Sequence, residues 1–181
     1  MQAQSIETYL ADLGSELASM GVKEPVRVLL VGGAFMLTQL HNRPTTNNVD
    51  VLLKDVDDPA TSLLYQSFKT AVRAVATCNR IPLTWVNDMI GDFLRDASNV
   101  PQGTLWRTYG SLEVYIPEAE YILALKLLAG RQKDRPDIHI LCQQLNIQTR
   151  NQAQEVVDHY IPGKPVQQIN NLDKTLSTLF P

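Results

Sequence analysis

The residues whose types and spacing most directly suggest chemistry lie between Val31 and Leu53, in VGGAFMLTQLHNRPTTNNVDVLL. Gly32 and Gly33 follow an apolar run. A Gly-Gly turn between a strand and a helix lets the backbone approach a ligand, and the helix start beyond it offers unpaired N–H groups to an anion such as a triphosphate. Further along, Asp50 stands alone among Val49, Val51, Leu52 and Leu53. Residues two apart on a strand project to one face, so Asn48 and Asp50 point together toward whatever the glycine turn holds. An acid at that place binds Mg²⁺, which takes carboxylates and commonly bridges protein to substrate phosphates, as nucleotidyl transfer requires.

Each of these residues also has an ordinary structural account. Gly32 and Gly33 serve equally as a tight strand-to-helix turn, since a lone glycine pair is a weak motif. Asp50 is harder to explain that way, because an unpaired carboxylate in a buried strand is costly; the alternative is that it sits at the strand's exposed end. Lys126 lies in the apolar run YILALKLLA, where a long stem packs while its ammonium reaches water. Asp134 precedes Arg135 and Pro136 and suits an N-cap, and Asp137 suits a first-turn acid favoured by the helix dipole. Glu113 alternates with Leu112 and Val114, as a solvated outward position of an edge strand does. His41, His139 and His159 have no ligand spacing, so no zinc site is expected.

The elements that must position these residues follow from periodicity. SIETYLADLGSELASMG places Ile6, Tyr9, Leu10, Leu13 and Leu17 at helical spacing, with Ser5 as N-cap and Gly21 past the end. VRVLLV and NVDVLL read as strands covered on both faces, with about two turns of helix from Ala34 to His41 between them. After a break at Asp57, Asp58 and Pro59, a longer helix is expected, then IPLTWV as a strand and DMIGDFLRD as a short helix. TLWRTY and LEVYI flank Gly110 and Ser111 as a hairpin, and from Glu118 onward the chain reads as helix. That order predicts an α+β fold, a mixed α/β sheet domain over residues 1–117 with a helical C-terminal region over 118–181 packed on it.

Composition narrows the function classes. The 181 residues carry a net charge of −3, so no whole-protein positive field draws the chain to nucleic acid or to an anionic membrane. Cys78 and Cys142 stand far apart in sequence, as reduced thiols rather than a metal or redox pair. No basic start precedes an apolar run, and no stretch approaches the ~18 apolar residues a membrane span needs. The expectation is a soluble cytoplasmic protein without a membrane partner.

VGGAFMLTQLHNRPTTNNVDVLL resembles the first motif of the nucleotidyltransferase superfamily, the DNA polymerase β-like fold, in which a Gly-Gly or Gly-Ser pair precedes Asp-x-Asp. LTWVNDMIGDFL and then LEVYIPEAEYILALKLLAGRQKDRPDIHIL are similar to the bacterial branch that contains abortive-infection AbiEii-type toxins. The likeness covers roughly Val26 to Leu141. It implies Gly32 and Gly33 at a phosphate turn with Arg43 pointing at phosphate, and Mg²⁺ or Mn²⁺ held by Asp50 and position 48. A third carboxylate would come from a later strand, with Glu113 the first choice and Asp88 the second. Lys126 would contact phosphate, and Asp137 would orient it or help accept a proton. The implied activity moves a nucleoside monophosphate from an NTP to a hydroxyl of RNA, protein or a small molecule, in a toxin-antitoxin or phage-defence setting with an antitoxin partner. The departure is Asn48, which stands where the family usually has Asp, so the motif reads NVD. An amide brings no charge to a cation, and the same departure fits a degenerate member that binds nucleotides or regulates without catalysis.

Overall fold

The computed structural model describes residues 1–181 except 55, 57–60, 90, 92, 93, 95 and 96. The break at Asp57, Asp58 and Pro59, and much of the short helix expected over 88–96, lie outside the described residues. The fold is α+β, with eight α-helices and a five-stranded mixed sheet among the described residues. The chain divides into two compact units, Met1–Gly91 with Gly103–Ile116, and Asp92–Gln102 with Pro117–Pro181.

In the first unit the strands are β1 (Val26–Val31), β2 (Val49–Leu53), β3 (Val86–Asn87), β4 (Thr104–Tyr109) and β5 (Leu112–Ile116), in spatial order β3-β2-β1-β5-β4. β1 runs antiparallel to β2 and parallel to β5, β2 runs parallel to β3, and β4 and β5 form the hairpin. The helices are α1 (Ala3–Ser19), α2 (Gly32–Gln39) and α3 (Leu63–Asn79). Ile6, Leu10, Leu13 and Leu17 of α1 and Phe68, Val72 and Val75 of α3 pack on Val28, Leu30, Val49, Val51 and Val114 to make the core. Because strand side chains alternate, the residues between these positions point to the opposite face of the sheet: Arg27, Leu29 and Val31 on β1, Asp50 and Leu52 on β2, Glu113 and Tyr115 on β5.

Two local expectations change. Of IPLTWV only Val86 enters the sheet, joined by the following Asn87, because Trp85 turns into the core instead. Pro82 has no N–H for a ladder; its carbonyl accepts from Trp85 N at 3.0 Å, and the indole N–H donates to Val72 O at 3.1 Å. The first helix begins at Ala3 with Gln2 as N-cap, so Ser5 is inside the first turn rather than capping it.

The second unit contains α4 (Ala119–Ala129), a 3₁₀ turn (Gln132–Asp134), α5 (Arg135–Gln144), α6 (Arg150–Tyr160), α7 (Lys164–Ile169) and α8 (Leu172–Leu179). α4 is apolar nearly all round and lies against α5, α6 and α8, which is why Tyr121, Leu123, Leu127 and Leu128 are all buried. Gly130 ends it at φ +58°, and a capping box from Thr149 and Gln152 starts α6.

Candidate ligand site at the glycine turn

The site is built where β1 ends. β2 returns antiparallel with Asp50 opposite Val31, which delivers the Asp50 carboxylate to the first residue of α2. That residue is Gly32, at φ +63°, and a Cβ on it would overlap Asp50 Oδ2. Glycine is therefore required twice over, for the left-handed backbone and for the room the carboxylate occupies. On the next residue, a Cβ on Gly33 would lie 2.6 Å from Thr46 Oγ1 and 2.9 Å from Arg43 Nη1. The glycine pair thus has an acid on one side and a hydroxyl with a guanidinium on the other.

Neutral donors hold the acid. Asp50 Oδ1 accepts from Asn48 Nδ2 at 3.0 Å and from Asn87 Nδ2 at 2.7 Å. Asn87 arrives through the parallel β2–β3 pairing, in register with Asp50, and its own Oδ1 accepts from Met89 N at 3.3 Å. Thr46 Oγ1 donates to Asn48 O at 3.1 Å and steadies the loop before β2. Asp50 is half-buried, so its remaining lone pairs can accept from hydroxyl or amine groups of a ligand.

The donor set does not match the implied Mg²⁺ or Mn²⁺ ion. It contains one carboxylate, two N–H groups already converge on its Oδ1, and the partner position on the same strand is an uncharged amide. Among the described residues no group of three or more His, Cys, Asp or Glu side chains is arranged to hold a metal.

Of the other residues singled out by sequence, Glu113 is not brought to Asp50. It pairs in register with Arg27 at the start of β1, whereas Asp50 pairs with Val31 at its end. Four residues of strand separate the two positions, about 13 Å at ~3.3 Å per residue. Glu113 Oε2 instead accepts from Arg27 Nε at 3.1 Å and Tyr115 Oη at 2.9 Å. The second choice, Asp88, is buried and bound to Lys69 Nζ at 2.8 Å.

Lys126 and Asp137 belong to the helical unit and meet each other there. Lys126 Nζ lies 2.7 Å from Asp137 Oδ2 and 2.9 Å from Asp134 Oδ1, with all three residues at most 3% exposed. Arg131 Nε closes on Asp134 Oδ2 at 2.6 Å. Asp134 makes no side-chain cap to α5, because both its oxygens are engaged by these cations. Burial pushes the Asp134 carboxyl up, but the hydrogen bonds and charges of Lys126 and then Arg131 outweigh it and hold the group below its ordinary value.

Sequence reasoning passed over Asn87 and Thr46. Their only sequence signal is polarity beside an apolar stretch, and it is the strand register and the loop path that make them partners of Asp50 and Gly33. No protein-family model, curated protein or solved structure matches the chain.

Proposed function

We propose that this chain is a nucleotidyltransferase-like protein that binds a nucleotide at the glycine turn without a resident metal and without transferring it. The observation that carries the reading is the clasp of Asn48 and Asn87 amides on Asp50. Without a cation, Asp50 repels phosphate, so a nucleotide divides its contacts. Its phosphates lie at Gly33, beside Arg43, Thr46 and the start of α2. Its ribose hydroxyls donate to Asp50, as ribose hydroxyls do to strand carboxylates in other nucleotide sites. The order of glycine turn, short helix and acid-bearing strand in a mixed sheet supports the family resemblance.

The test is calorimetric titration of each NTP with Mg²⁺ present and with EDTA, run beside incubation with labelled NTPs and cell RNA or lysate. Binding insensitive to EDTA, weakened by Arg43→Gln and unaccompanied by label transfer is expected. Failure of all four NTPs to bind would overturn the proposal.

A second reading is favoured by the seating of Asp50 on Gly32, the placement an active family member would need. In it the chain is a Mg²⁺- or Mn²⁺-dependent enzyme that transfers a nucleoside monophosphate to RNA, protein or a small molecule. A cytoplasmic toxin role with an antitoxin partner belongs to that reading. Label on an acceptor, lost on Asp50→Asn, would establish it over the first. For either reading, no helix among the described residues is long and apolar enough to cross a membrane.

A further inference from the structure

The helical unit contains a cavity of about 400 Å³ whose lining, among the described residues, has cations and no acid. Arg131 follows the end of α4, Arg135 opens α5, and Lys174 and Thr175 stand on α8 with Asn171 at its start. Among the described residues the charge of Arg135 and Lys174 is not cancelled by a paired carboxylate. Arg131 and Lys126 are matched by Asp134 and Asp137, so that cluster closes at zero net charge, two cations against two carboxylates. Asp173, the acid beside Lys174, is paired with Arg150. Among the described residues no carboxylate pairs with Arg135 or Lys174, and both are exposed. Two uncompensated cations thus face one concave space in a chain whose net charge is −3.

We propose that this cavity binds a small di- or polyphosphate through Arg135 and Lys174, with Arg131 as a third, shared donor. Guanidinium and ammonium groups around a concavity are the chemistry that recognises phosphate oxygens. The volume lies within the ~300 to 1,000 Å³ typical of small-molecule sites. Among the described residues no aromatic side chain lines the cavity, so they offer a nucleobase nothing to stack on, and recognition rests on the phosphates. That favours a free polyphosphate over a single-stranded nucleic acid. The site is distinct in residues from the glycine turn, and it does not depend on the function proposed there.

The experiment is calorimetric titration of the full chain with inorganic pyrophosphate at low and at moderate salt. Saturable binding that weakens as salt rises is expected. Arg135→Gln and Lys174→Gln, both exposed positions, should each weaken it about tenfold, the loss of one charge-assisted contact, while Lys23→Gln, an exposed lysine of the other unit, should leave it unchanged. Absence of binding at low salt overturns the proposal, as does binding that the Arg135→Gln, Lys174→Gln double variant leaves undiminished. An oligothymidylate that binds where pyrophosphate does not would overturn it in favour of a nucleic-acid surface.

Discussion

At the glycine turn a half-buried carboxylate, Asp50, takes N–H bonds from two neutral amides, whereas in the helical unit Lys126, 3% exposed, is held between two carboxylates. Both are charges set in apolar elements, but they are compensated differently. Amides lower the energy of Asp50 without cancelling its charge, so the group remains able to accept from a ligand. The Lys126 cluster is neutral once Arg131 is counted, with Lys126 and both carboxylates buried and Arg131 at the surface. A buried pair of this kind adds little stability over apolar packing, yet it is expensive to break because the surviving charges are left in low dielectric. The first arrangement keeps its capacity for chemistry; the second locks α4 to the start of α5.

The comparison is broken most directly by removing the lysine. Lys126→Met takes the buried ammonium from Asp137 and leaves Asp134 with Arg131, and should lower the unfolding free energy by about 3 to 5 kcal/mol, read from urea denaturation. A loss below ~1 kcal/mol, the scale of an exposed pair, would mean the cluster is no more than a surface bridge.

Next in size is Gly32→Ala, which forces a side chain into a left-handed backbone and against Asp50. Gly21 is also left-handed, at φ +76°, but has open space around its Cβ, so Gly21→Ala reports backbone strain alone at about 1 kcal/mol. Gly32→Ala should cost about 2 to 3 kcal/mol by the same denaturation measurement. Equal costs would mean Asp50 is not seated on the turn.

Asn48→Asp sharpens the contrast from the other side. It replaces a donor to Asp50 with a second carboxylate, and the like charges should lower stability by about 1 kcal/mol in metal-free buffer. Mg²⁺ should then raise the melting temperature of Asn48→Asp while leaving the parent chain unmoved, because binding to the folded state alone stabilises it. An equal Mg²⁺ response in both proteins would show that charge at position 48 does not decide metal binding.

The smallest effect is in acid. The Asp134 carboxyl sits below its ordinary value of 3.8 in the folded chain, so the stability it contributes is present above that pH and is lost as pH falls through the lower folded value. Asp134→Asn should therefore flatten the decline in stability below pH 4 relative to the parent. A decline of unchanged steepness would place the acid sensitivity elsewhere.

Much of the architecture was legible because it is local. The helical spacing of Ile6, Leu10, Leu13 and Leu17, the β-rich run Val26 to Val31 and the Gly110-Ser111 turn each state their element within a few residues, and the mixed sheet with helices follows from their order. IPLTWV misled because the burial of one large indole outweighed strand propensity in its neighbours. The pairing of Gly32 with an acid on the next strand could also be suspected from spacing, since a short helix leaves few ways to return.

What sequence determined by itself was thus the elements, the glycine turn that only glycine can make, and the absence of a second acid at position 48. Which polar groups meet was decided by tertiary structure. Strand register put Asn87 on Asp50 and carried Glu113 to the far end of β1, and the turn from α4 into α5 closed Lys126 on Asp134 and Asp137. Backbone conformation depends on a few neighbouring residues, whereas a side-chain pair depends on register and packing among residues remote in the chain. Shifting a strand by one position leaves its propensities almost unchanged and turns every partner to the other face.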